Sequence, residues 1–189
     1  RIEAGTFLVA GAMAAEESLT LRRVRPDHLT AVTGVLADCG YKIETGEDEK
    51  SLTIFRNGNH TGANITTEPF PGYPTDMQAQ MCSLFAVTAG LSVVKDTIFP
   101  QRFMHCSEMK RMGADIDVDD GTAIIRGVEE LSGAPVMASD LRASAALVLS
   151  GLTAKGSTDI HRVYHIDRGY EAIDDKLCDL GARIDRVRE

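Results

Sequence analysis

The chain has 189 residues, 43% hydrophobic and 25% charged, enough to bury one core and ordinary in composition for a globular protein. Its net charge of −8 argues against nucleic acid or an anionic membrane surface as partner, since both reward basic surfaces, but it leaves small anions open. No stretch reaches the roughly 18 uncharged apolar residues that crossing a bilayer takes.

In chain order, one unit recurs three times: an almost uncharged helix, a β-branched strand, an amphipathic helix closed by glycine, then strand material. The first unit predicts a helix over 3–15, a strand in "SLTLRRV", and a surface helix with the stripe Leu29, Val32, Leu36 and Cys39. It closes on a hairpin in "YKIETGEDEKSLTIF". The second unit has extended "GANITTEPF", a helix over 76–89, strand "LSVVKDTIF", a surface helix ending in "RMGADI", and the hairpin "ADIDVDDGTAIIRGV". The third has extended "SGAPVMA", a helix over 140–154, strand-like "STDIHRVYHI", and a helix with the stripe Tyr170, Ile173, Leu177 and Leu180. The repeats span about 1–58, 59–128 and 129–189.

The leading helices are apolar on every face apart from their opening acids and Arg142, so they belong inside, with sheets and amphipathic helices around them. Gly40, Gly113 and Gly181 are the expected left-handed caps of the surface helices. The predicted fold is α/β (α+β by some schemes), from three βαβαββ-type units. The first unit lacks an opening strand and the third has a single strand after its glycine. At least one sheet edge is therefore expected to be completed by another segment of a longer parent protein. The opening at Arg1, without initiator methionine or leader, reads the same way.

Asp76 and Asp140 stand at the heads of two buried helices, where a carboxylate ordinarily caps free backbone N–H groups. Thr75 and Ser139 are alternative caps that would free the aspartates for other work. Arg102 and Arg168 occupy matching points before the second helices of units two and three. Arg142 is the lone charge within an apolar helix and needs an anionic partner. Asp140, two residues away, does not face it along a helix, so the partner is a carboxylate from another unit or a bound anion. Around a common axis, Asp76, Arg102, Asp140, Arg142 and Arg168 converge at one end of the helix cluster. Forked guanidinium donors near helix N-termini suit a phosphate or carboxylate ligand.

The remaining polar motifs are quieter. Cys39, Cys82, Cys106 and Cys178 are far apart, without C-x-x-C or Cys/His ligand spacing, and read as reduced thiols of a cytoplasmic protein. His28, His60, His105, His161 and His165 show no metal spacing, so no metal site is expected. "GAMAAEES" and "GLTAKGST" lack the strand-then-glycine order of a phosphate loop.

The strings "PGYPTDMQAQ", "QRFMHCSEMKRMGA", "LSGAPVMASDLRASAALVLSGL" and "YHIDRGYEAIDDKLCDLGA" resemble the UDP-N-acetylglucosamine 1-carboxyvinyltransferase family of enolpyruvate transferases. The resemblance runs from Arg1 to the C-terminus. It implies an inside-out α/β barrel forming the C-terminal domain of a two-domain enzyme, with substrates bound between the domains. The implied reaction moves enolpyruvyl from phosphoenolpyruvate to the 3-hydroxyl of UDP-N-acetylglucosamine, the first committed step of peptidoglycan synthesis, with no cofactor. By the same resemblance, Asp76 matches the aspartate at the sugar 3-hydroxyl, a proposed general base. Ile98 matches a backbone contact to the UDP-sugar, and Arg168 an arginine that holds phosphoenolpyruvate. Arg102, Asp140 and Arg142 match the polar lining of the cleft.

Two features depart from the family pattern. None of the four cysteines matches its reactive cysteine, which lies on the other domain, and its lysine–asparagine pair is also missing, so the chain by itself is expected to be inactive. "FPQR" puts Pro100 and Gln101 where many members carry glutamate and asparagine. The competing reading is a stand-alone nucleotide-sugar or anion-binding module on the same fold. A nucleic-acid end-processing relative is disfavoured by the acidic charge.

Overall fold

The computed structural model describes residues 1–187. Three helices form its centre: α1 (Ile2–Ala14), α3 (Gln78–Ala86) and α5 (Leu141–Thr153), packed against one another. All nine residues of α3 are buried, as are Gly5–Met13 of α1, which is where helices lacking a polar face must go. Small residues let the backbones close in. Ser83 of α3 donates to the Ala146 carbonyl of α5 at 2.8 Å, and a Cβ on Gly11 would stand 2.8 Å from Leu19 and Ile54.

The amphipathic helices α2 (Thr30–Asp38), α4 (Met104–Arg111) and α6 (Ile173–Asp179) end alike. Gly40, Gly113 and Gly181 have φ of 94°, 93° and 101°. Each glycine N–H donates to a carbonyl three residues back (Ala37, Lys110, Cys178), and the next N–H donates to one five back (Leu36, Met109, Leu177). This paired closure satisfies the last carbonyls and turns the chain outward. The predicted stripes are buried except for Leu180, which stands exposed just beyond α6.

The strands obey the repeat as well. One sheet has the order β1 (Ser18–Arg22), β3 (Ser51–Phe55), β2 (Lys42–Thr45), all antiparallel. The second adds a parallel edge strand: β4 (Asn64–Thr66), β5 (Leu91–Lys95), β7 (Thr122–Arg126), β6 (Asp115–Asp119). The third is the parallel pair β8 (Pro135–Met137) and β9 (Asp159–His161). By equivalence with the second sheet, and among the described residues, the first shows no parallel strand beside β1 and the third no hairpin beside β9. The sheets lie against α1, α3 and α5 respectively. Among the described residues no helix is long and apolar enough to cross a membrane.

Several expectations need correction. The helix predicted over 76–89 starts at Gln78, behind a 3-10 turn at Thr75–Met77, and stops at Ala86 as Thr88 folds its hydroxyl back onto the Leu84 carbonyl. The strand predicted through "STDIHRVYHI" ends at His161, because Arg162 adopts φ 61° and starts a 3-10 helix, Val163–Arg168. Residues 182–187 form no strand, and among the described residues no hairpin partner lies beside them. Cys82 and Cys106, remote in sequence, meet in the core beside His105.

Candidate functional site at the heads of two buried helices

Asp140 is the N-cap of α5: its Oδ1 accepts from the N–H groups of Arg142 and Ala143 at 2.7 and 3.0 Å. This satisfies two orphan donors and commits that carboxylate to the helix. The Arg142 side chain therefore turns elsewhere, and its partner is Asp76 of the second repeat. Arg142 Nε donates to Asp76 Oδ1 at 2.8 Å, and Nη2 donates to the same oxygen. Arg102 Nη1 reaches it as well, at 3.4 Å. Three guanidinium N–H groups thus share one oxygen, while Asp76 Oδ2 accepts no hydrogen bond among the described residues.

Asp76 lies within the 3-10 turn and caps nothing, contrary to its expected default role. Nor do the alternative caps serve. Thr75 donates to Asp96 at 2.6 Å, and Ser139 leans on the Asp140 carboxylate at 3.5 Å.

A groove of about 410 Å³ opens over this cluster, lined by Ile98, Phe99, Pro100, Arg102, Asp140 and Arg142 among others. Arg102 also stacks its guanidinium over the Phe99 ring, 4.0 Å from the centroid. Ile98, Arg102, Asp140 and Arg142 of the sequence candidates therefore share one groove, with Asp76 held against two of them. Pro100 stands in the lining as a rigid apolar group.

Arg168 is not part of that lining. It ends the 3-10 helix Val163–Arg168, exposed, and among the described residues no carboxylate or carbonyl engages its side chain. The chain just after it is anchored near the site. A Cβ on Gly169 would stand 2.8 Å from Leu141, the first residue of α5, and the Tyr170 hydroxyl bonds Thr6 at 2.8 Å and Gln80 at 3.1 Å. Arg168 accordingly stands beside the head of α5 with an open guanidinium.

Sequence reasoning missed Asp96. It follows β5, is 1% exposed, and accepts four hydrogen bonds: Thr67 at 2.8 Å, Thr75 at 2.6 Å, and the N–H groups of Ile98 and Phe99 at 3.0 and 2.8 Å. Burial pushes its carboxyl up, but the four donors outweigh burial and hold it below the ordinary carboxylate range. Asp96 thereby ties the loop bearing Ile98 and Phe99 to the turn bearing Asp76. The available signal was a single acid directly after the β-branched run "SVVK".

Asp76 is clasped by Arg142 and Arg102 at the rim of a helical core built from three repeated units, in an α/β domain. Over residues 1–177 the chain matches the family model of EPSP synthase (3-phosphoshikimate 1-carboxyvinyltransferase), and it belongs to that family. It is 64% identical to UDP-N-acetylglucosamine 1-carboxyvinyltransferase of Akkermansia muciniphila and 54% identical to that of Xylella fastidiosa, each over 99% of this chain. The chain spans 44% of the length of those relatives. Among solved structures, the enolpyruvyl transferase NikO of Streptomyces tendae superposes with a TM-score of 0.85 at 25% identity, over 96% of this chain and 43% of its own. EPSP synthase of Acinetobacter baumannii superposes at 0.62 over 84% of this chain and 38% of its own, with 18% identity, a likeness of fold.

Proposed function

We propose that this chain is the C-terminal domain of an enolpyruvyl transferase that moves the enolpyruvyl group of phosphoenolpyruvate to the 3-hydroxyl of UDP-N-acetylglucosamine, releasing phosphate. The observation that carries the reading is Asp76 Oδ1 held by Arg142 and Arg102 at the groove, in a chain 64% identical to a relative of that name. The three units are read as one inside-out barrel, and the bare edge of β1 as the seat of a strand from elsewhere in the parent protein. Peptidoglycan synthesis in the cytoplasm is the setting this assignment implies.

In this reading the sugar 3-hydroxyl oxygen bonds to C2 of phosphoenolpyruvate while C3 gains a proton. Asp76 Oδ2, with no other hydrogen bond among the described residues, takes the hydroxyl proton. The tetrahedral adduct then loses a C3 proton and its C2–O bond to phosphate, restoring the double bond. Arg102, Arg142 and the open Arg168 face the phosphate and carboxylate charges, where forked donors match the oxygens of either. Ile98 offers backbone to the UDP-sugar, and Asp140 fixes the head of α5 so that Arg142 reaches Asp76. The proton donor to C3 belongs to the other domain, so the chain alone has no turnover.

The test is Asp76→Asn in the full-length protein. The neutral amide keeps the shape but cannot take the proton, so turnover should fall at least about a hundredfold, the usual scale for a lost general base. Near-normal turnover in a folded variant rejects the role.

A further inference from the structure

Apart from the groove, the contact between α3 and α4 gathers donors that the transfer reaction does not use. Cys82 of α3 and His105 and Cys106 of α4 are 0%, 2% and 1% exposed, and one donor atom from each lies within 4.8 Å of the others. His105 Nε2 and Cys106 Sγ are 3.5 Å apart. Gln78, one turn before Cys82 on α3, brings its amide nitrogen to 3.7 Å from Cys82 Sγ. Its buried carbonyl Oε1 has no partner among the described residues. Turning that amide over places Oε1 on the Cys82 side, since the two amide atoms are interchangeable in shape.

We infer that Cys82, His105 and Cys106 form a site for a soft divalent transition-metal ion of the zinc type, with Gln78 Oε1 as the fourth donor. Two thiolates and an imidazole suit such an ion, and Zn–S and Zn–N bonds of about 2.3 and 2.0 Å put tetrahedral donors about 3.5 to 3.8 Å apart. The three donors close to that spacing by moving about 1 Å or less. Two thiolates neutralise a divalent cation, so the assembled site introduces no net charge into the core. Binding transfers both thiol protons to solvent and forms two metal–sulfur bonds without any redox change. The ion would pin α3 to α4, whose leading segments carry Asp76 and Arg102, yet the inference stands on the donor geometry and not on the proposed transfer activity.

The experiment uses the full-length protein, reduced and stripped with chelator, titrated with cobalt(II) and separately with zinc(II). One equivalent of cobalt should give tetrahedral d–d bands with a sulfur-to-cobalt charge-transfer band, and zinc should displace it. Cys82→Ser and Cys106→Ser should each remove the charge-transfer intensity or shift it to a single thiolate, while Cys39→Ser and Asp76→Asn leave it intact. Absence of a cobalt spectrum in wild-type protein, with all its thiols, those of Cys39, Cys82, Cys106 and Cys178 among them, reduced and countable after denaturation, overturns the site. So does a spectrum that survives loss of both Cys82 and Cys106. The wild-type titration decides the matter even if a cysteine variant fails to fold.

Discussion

Arg142 of the third repeat and Asp76 of the second are joined by a guanidinium–carboxylate contact of 2.8 Å at the mouth of the groove. The pair bridges repeats because Asp140, the nearer acid, is occupied in capping α5. Both partners are about one-third exposed on their side chains, so solvent screens the contact and its share of stability is below about 1 kcal/mol. Its value lies in position.

Arg142→Met should therefore leave the denaturation midpoint nearly unchanged while lowering kcat/KM of the intact enzyme by about a hundredfold or more. Arg142→Lys should recover only a small part, since a single ammonium lacks the fork that presents Nε and Nη2 together. Combined with Asp76→Asn, the losses should fall well short of additive, because the two side chains act as one unit. Additive losses would separate them.

Under the proposed function, Arg168, with an open guanidinium beside the head of α5, should serve phosphoenolpyruvate rather than the UDP-sugar. Arg168→Ala is expected to raise KM for phosphoenolpyruvate by about tenfold or more and leave KM for the UDP-sugar within about twofold. Steady-state kinetics with each substrate varied in turn reads the split. Equal changes in both KM values would instead indicate a general distortion of the rim.

Asp96 should matter to the fold and be visible through pH. Replacing it with Asn leaves at least one of its four donors facing an amide N–H, at a cost of about 2 kcal/mol for a buried unmatched donor. The folded carboxyl titrates below its unfolded value, so its contribution is complete above the unfolded value, about 3.9, and is lost as pH falls through the lower folded value. The gap in urea midpoint between wild type and Asp96→Asn should accordingly be widest near neutrality and narrow in acid. A gap that holds constant through the acid range removes the charge argument.

The helix-closing glycines offer a graded comparison. A Cβ on Gly113 meets nothing within 4 Å, so Gly113→Ala should cost only the left-handed backbone strain, about 1 to 2 kcal/mol. A Cβ on Gly40 would stand 2.7 Å from the Asn59 carbonyl oxygen, so Gly40→Ala should lose more, through displacement of that loop. Equilibrium urea unfolding of both variants tests the order, and equal losses would contradict it.

Local rules made much of the architecture readable. Three helices without a polar face had to lie inside, two stripes at helical spacing had to face inward from the surface, and a glycine after each surface helix marked the turn. These traits depend on neighbours a few residues away, and so does the capping of α5 by Asp140. The same reasoning singled out Arg142 as the lone charge in an apolar helix, and Arg102 and Arg168 by their matching places before the surface helices. It did not find that Asp76 would surrender the cap to hold Arg142, that Asp96 would knit the loop to the turn, or that Cys82 would meet His105 and Cys106. Each of those contacts joins residues more than 20 positions apart except the short links of Asp96 to Ile98 and Phe99. Side-chain chemistry names the groups that need partners, but which partner arrives depends on how closely the central helices pack and how the repeats are rotated about them.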